Sequence, residues 1–354
     1  EEVRIEAAIL KRMGLLPPEA DYEKLLFNLL TEQVAGFYDP YTQTLFIADW
    51  LPVEMQRPAL AHEIEHALQD QHFDLKRFSR PLKEEGDRQL AHASLVEGDG
   101  TALMLEFVAK SMGVDLGQMS EMAFRLGKQM MQMTMSATPA FQQAPAVLRE
   151  TLVFPYAAGL DFIESMRTHH PWSRINELFR QPPESTEQIL HPEKYHSREQ
   201  PVVVLPAPLT ALAGWRELKR DVLGEVLFKI WFGSKLPEEA AERAAAGWGG
   251  DRLVAWAAPG STDSAAPGLP IVINFSTWDS ERDAREAERA ARQVTASLET
   301  GGDTSGGSAV GHVVVRRGRN MLILLGIPAS LQGRVVEEVF RTWRVVPPAL
   351  QGGP

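Results

Sequence analysis

His62, Glu63 and His66 stand in the stretch ALAHEIEHALQDQHFDL, residues 59–75, and spell H-E-x-x-H. A helix advances about 100° per residue, so histidines four apart share a face and offer two imidazoles to one ion. The flanking residues are good helix formers and Pro58 suits a first helical turn, so a helix over about 57–73 is expected. Glu63 lies round that helix toward the ion's open side, where a carboxylate takes a proton from bound water. The chemistry so implied is hydrolysis, with Zn2+ as the expected cofactor.

Two histidines fall short of the three protein ligands that a catalytic zinc takes. A second helix is expected over about 87–108, containing ASLVEGDGTALMLEF, and its Glu97, 31 positions beyond His66, is the leading third ligand. His72, His92 and Asp87 are its rivals. His72 occupies the third-histidine place of H-E-x-x-H-x-x-G-x-x-H, but Gln69 stands where that pattern needs a turning glycine, and a straight helix carries His72 away from the ion. Gly98 and Gly100 let another backbone approach closely or kink the helix. Asp99 and Asp70 are candidates to accept an imidazole proton. The plainer reading of both, and of Glu65, is a solvated acid.

Several elements must position these groups. Residues 3–13 and 21–35 carry helical spacing, and VAGFYDPYTQTLFIADW reads as a β-hairpin, either purely structural or an edge on which an extended substrate pairs. The Met-rich region from 103 to 135 reads as a helical core or an adaptable groove. Eight of the nine histidines fall between 62 and 196, and the pattern changes beyond about residue 200. There WRELKRDVLGEVLFKIWF and LPEEAAERAAAGW read as helices, RLVAWAA and LPIVINFSTW as strands, GWGGDR as a tight structural loop, and HVVVRRGRNMLILLGIP as a hairpin. The fold class is therefore α+β. A mainly helical domain carrying the H-E-x-x-H site, with a small hairpin, is expected over residues 1–200, and an accessory α+β domain of antiparallel strands with helices on one face over 201–354.

Composition agrees with two cores, at 354 residues with 44% hydrophobic and 23% charged. A net charge of -11 argues against nucleic acid and anionic membrane surfaces as partners. With no cysteine the chain has no disulfide, thiolate ligand or cysteine nucleophile. No run of 18 apolar residues is present, so no membrane span is expected. The chain begins at Glu1 without methionine, which gives the expectation of a processed N-terminus, a signal peptide or lipid anchor upstream, and an extracytoplasmic location.

HEIEH followed by a helical glutamate resembles the gluzincin clan of zinc metallopeptidases, of which thermolysin is the familiar member. More closely, the set ALAHEIEHALQDQHFDL, SLVEGDGTAL, FPYAAGLDF, PPESTEQILHPEKY and GWGGDR resembles a family of bacterial, secreted or lipoprotein H-E-x-x-H proteins over most of the chain. The resemblance implies a zincin-like fold for residues 1–200, His62, His66 and Glu97 as ligands, Glu63 as general base, and peptide or protein substrates. It also implies a Tyr or His that stabilises the oxyanion, for which Tyr156, His191 and Tyr195 are candidates, His191 leading because its loop STEQILHPEKY is polar and rich in turn residues. One departure stands out: thermolysin-like enzymes carry Asp four residues after the ligand Glu, and this chain has Thr101. The alternatives are a zinc-binding assembly protein without catalysis, and a peptidase inhibited by its own C-terminal domain.

Overall fold

The structure, a computed structural model, describes residues 1–33, 35–114, 121–167, 172–260, 268–299 and 310–347. Met119, His169 and His170 lie outside them. The chain opens with helices α1 (Glu2–Arg12) and α2 (Tyr22–Gln33), followed by strands β1 (Gly36–Asp39) and β2 (Thr44–Ile47). These strands pair antiparallel, with Phe37 opposite Phe46, as the turn residues between them predict.

The H-E-x-x-H helix, α3 (Val53–Phe73), starts about a turn earlier than expected. Pro52 already holds the extended dihedrals that lead into a helix and Glu54 complements the first turn, so Pro58 falls in the interior, where it cannot donate to Glu54. Asp74 ends α3 in the left-handed region at φ 55°, and its carboxylate accepts Arg77 N to begin the short α4 (Leu75–Phe78). Next come α5 (Gly86–Ser111), α6 (Glu121–Ser136), α7 (Pro139–Gln143), α8 (Ala146–Arg167), α9 (Ile175–Leu178), α10 (Thr186–Leu190) and α11 (Pro192–His196).

Helices α5 and α8 cross where both are glycine. A Cβ on Gly98 would stand 2.3 Å from the Gly159 carbonyl carbon, and one on Gly159 would stand 2.1 Å from Ser94 O. This is the close backbone approach that the Gly98 position allows. Around the crossing Leu95, Leu160, Phe162 and Ile163 are fully buried, each stabilising by about 1.5–3 kcal/mol relative to exposure. In α6, Met130 and Met133 are exposed.

The second half contains β3 (Val203–Leu205), β4 (Arg216–Asp221), α12 (Gly224–Gly233), α13 (Glu238–Ala245), β5 (Trp248–Ala257), β6 (Ile271–Trp278), α14 (Glu281–Glu299), β7 (Val310–Arg317), β8 (Asn320–Pro328), α15 (Ala329–Thr342) and β9 (Arg344–Val346). Five strands form one antiparallel sheet in the order β4-β5-β6-β8-β7, and β3 pairs with β9. The α+β class with antiparallel sheets is as expected, with three corrections. Residues 216–221 form an edge strand, because pairing with β5 outweighs helix propensity and the edge tolerates Arg216, Lys219 and Arg220. GWGGDR is the bulged start of β5, whose buried Asp251 accepts Leu223 N, Gly224 N, Trp248 Nε1 and Asn274 Nδ2. Helices cover both faces of the sheet: Leu253, Val272 and Ile323 pack on one side with α12 and α14, while Ile273, Phe275 and Leu324 pack on the other with α15.

The first of these cores also contains Ile5, Ile9, Leu10 and Leu16. Trp231 Nε1 donates to Met13 O at 2.9 Å, and Arg12 Nε to Pro270 O at 2.7 Å. Packing thus runs across the position 200/201, with α1 seated on the C-terminal sheet. Among the described residues no helix is long and apolar enough to cross a membrane.

Candidate metal centre

Helices α3 and α5 bring three donor atoms to one point. His62 Nε2 stands 3.1 Å from Glu97 Oε2, His66 Nε2 3.0 Å from His62 Nε2, and His66 Nε2 3.5 Å from Glu97 Oε2. Tetrahedral zinc with bonds of about 2.0–2.2 Å sets its ligand atoms roughly 3.3–3.6 Å apart, so the donor set fits that ion in type and comes within a few tenths of an ångström of it in spacing. Gly100 makes the space: a Cβ there would lie 2.9 Å from His62 Cε1. His62, Glu63 and His66 are each less than 10% exposed.

The charges are mutually dependent. Burial would raise the Glu97 carboxyl, but His66 and His62 hold it well below the usual carboxylate range. Burial works against charge on His66, yet Glu97, helped by Gln69 and Glu63, pushes its pKa up to about 9. Glu63 is raised above its ordinary value by burial, against the pull of His66 and His62. Tyr156 on α8 joins the same group: its phenol is lifted well above its ordinary value, first by the charge of Glu97 and then by burial, and it hydrogen-bonds Glu97. Its ring centroid stands 6.1 Å from that of His62.

His191 and Tyr195 are placed elsewhere. His191 Nε2 bonds Glu225 Oε1 at 2.9 Å, so its polarity serves the joint between α10 and α12. Tyr195 donates to Gln181 O at 2.8 Å and meets Phe162 edge-on. The rival ligands also lie apart from the donor set. His72 is exposed, His92 is buried against Phe78, and Asp87 accepts from Thr186 N and its hydroxyl.

The acids read as solvated are partly or wholly buried. Asp70 accepts Tyr38 OH at 2.9 Å and Leu75 N at 2.9 Å, which fastens the β1–β2 hairpin to α3, so its carboxylate serves these two donors. Asp99, 4% exposed, accepts from Gln69 Nε2 at 2.9 Å and also bonds Glu65. Burial and the neighbouring Asp99 push Glu65 up to about 7. Gln69 in turn faces His66 Nδ1 through Oε1 at 2.9 Å. Sequence reasoning weighed Gln69 only as a missing glycine; its position three residues after His66 was the available signal. His62 Nδ1 and Thr101 Oγ1 are buried without a hydrogen-bond partner among the described residues, so Thr101 does not replace the aspartate of thermolysin-like enzymes as an imidazole partner.

Residues 210–335 match the model of a family described as a domain of unknown function, DUF8575. That stretch contains none of His62, Glu63, His66, Glu97 or Tyr156. Comparison with curated proteins gives no match, and comparison with solved structures gives none.

Proposed function

We propose that the protein is a zinc-dependent peptidase of gluzincin type, acting on peptide or protein substrates. The observation that carries this reading is Glu63, a carboxylate only 6% exposed that interacts with both histidines of the His62–His66–Glu97 donor set. An ion held for structure alone has no use for a fourth, basic group at that position. When bound, zinc supplies Lewis acidity toward a scissile carbonyl and acidifies water. His62, His66 and Glu97 would hold it.

The chain's own residues supply the remaining chemistry. Glu63, made more basic than an ordinary carboxylate by burial, accepts the proton of the attacking water and returns it to the leaving amine. Tyr156, kept protonated by the adjacent Glu97, donates to the oxyanion that develops on the substrate carbonyl. The hairpin lies over this region: a Cβ on Gly36 would stand 3.2 Å from Glu63 Cγ, and the Tyr38 backbone hydrogen-bonds Glu63. A second reading, a peptidase with a covered site, draws support from the low exposure of His62, Glu63 and His66, and the hairpin is then the cover.

Zinc content and cleavage of an unfolded protein substrate, compared between wild type and Glu63→Gln, test the proposal. One zinc per chain in both, with turnover reduced about 10²–10³-fold in the variant, is the expected result. Full activity in Glu63→Gln, or no zinc in either protein, refutes it. One zinc with cleavage by neither favours the covered site, and removing the hairpin's hold on α3 should then restore cleavage.

A further inference from the structure

We propose that Gln69 is the positioning residue of the metal centre, its amide fixing which nitrogen of His66 faces the ion. The inference rests on the reading of His62, His66 and Glu97 as ligands. Gln69 is 1% exposed, one turn after His66 on α3. Its Nε2 donates to Val96 O at 3.2 Å and to Asp99 Oδ2 at 2.9 Å. A backbone carbonyl can only accept, so the amide group cannot turn round without setting oxygen against oxygen and leaving a buried group unpaired.

The amide oxygen is thereby held toward His66 Nδ1, 2.9 Å away. An amide oxygen has no proton to give, so the bond forms only when Nδ1 carries the hydrogen. Nε2 then keeps its lone pair, and Nε2 is the atom that meets His62 and Glu97. A neutral imidazole without this partner is free to carry its proton on Nε2, where a ligand needs a lone pair. The anchors add a second effect. Val96 and Asp99 flank Glu97 on α5, so one amide ties the second histidine to the segment that bears the third ligand.

Two variants and two readouts test this. Gln69→Met keeps the length and removes the hydrogen bonds; Gln69→Glu keeps an acceptor at the same reach. Zinc affinity is measured by competition with a chelator. The tautomer is measured by nitrogen-15 NMR of histidine-labelled protein without metal, read on the His66 signals at alkaline pH where they no longer change with pH. The wild type is expected to hold the Nδ1–H form of His66. Gln69→Met is expected to lose that preference and to bind zinc about 10–100-fold more weakly, whereas Gln69→Glu, which keeps the acceptor but sets an oxygen against Val96 O and Asp99, is expected to hold the Nδ1–H form less firmly than the wild type. A purely structural role would not move the tautomer. Wild-type affinity and an unchanged Nδ1–H form in Gln69→Met overturn the proposal, and should that variant not fold, a wild type in which His66 does not hold the Nδ1–H form does so. A wild type that holds the tautomer but binds no zinc upholds the hold on His66 and refutes the peptidase reading instead.

Discussion

Gly100→Ala separates metal binding from folding, because one methyl group disturbs the donor set while its two effects on stability largely offset each other. The new Cβ would sit 2.9 Å from Cε1, 3.0 Å from Nδ1 and 3.3 Å from Nε2 of His62. Ordinary contact begins at 3.4 Å, so the imidazole must retreat by about 0.5 Å. It has little room, since the His66 ring meets it edge-on with centroids 4.5 Å apart and Tyr156 stands at 6.1 Å. Metal-ligand distances hold to about 0.2 Å, so zinc affinity should fall about 10–100-fold, or about 1.4–2.7 kcal/mol. Alanine in a helix interior gains up to about 1 kcal/mol over glycine, which offsets much of the cost of moving one imidazole, so the metal-free variant should unfold close to the wild-type temperature. Chelator competition gives the first quantity and thermal unfolding in excess chelator the second. Gly98→Ala is the contrast: its Cβ would lie 2.3 Å from a Gly159 backbone atom that cannot swing aside, and overpacking there should cost about 1–3 kcal/mol of stability. Wild-type zinc affinity in Gly100→Ala would refute the placement of His62 as a ligand held against α5.

Other perturbations probe the rest of the arrangement. Tyr156→Phe should lower kcat by about 10²-fold with zinc affinity changed only a few-fold; a matching loss of zinc would make the phenol a support for Glu97 instead. Tyr38→Phe removes the bond to Asp70 and should cost about 1 kcal/mol, seen as faster amide exchange in β1 and β2, and unchanged exchange would show that the hairpin is held by other contacts. His191 is raised above its usual 6.5 by its bond to Glu225, against burial, and Glu225 above 4.5 by burial, against His191. Both raised values have one sign: the stability they contribute is complete below the unfolded pKa of each and is lost as pH rises through the folded one. The urea midpoint should therefore decline as pH rises from 4.5, where Glu225 begins to lose its contribution, with His191 adding its own loss above 6.5; a profile above pH 6.5 unchanged in His191→Phe would sink the assignment.

What the sequence made legible is what short-range geometry decides. Four-residue spacing places His62 and His66 together on any helix, and a glutamate on the following long helix is the natural third donor. Gln69 was passed over because an amide carries no charge, and the role that its spacing from His66 allows exists only once Val96 and Asp99 arrive from α5. His191 misled for the converse reason: a polar, turn-rich loop looks like a site, yet its partner Glu225 lies 34 positions away in a helix whose placement no local pattern gives. The helix expected through residues 216–221 was decided by pairing with β5. The covering of both sheet faces did have a signal. IVINFSTW is a nearly continuous apolar run, and every residue of β6 is buried.

The seat of α1 on the C-terminal sheet bears on the order in which the molecule assembles as it is made. Arg12 and Pro270 are 258 positions apart, Met13 and Trp231 are 218, and Glu6 pairs with Lys219 across 213. At about 5–20 residues per second, a ribosome needs roughly 13–50 s to deliver Pro270 after Arg12. During that interval the apolar side of α1 has no sheet to cover it. The segments carrying His62, Glu97 and Tyr156, by contrast, are all synthesised by residue 167, so that group can come together before the sheet on which α1 sits has been made.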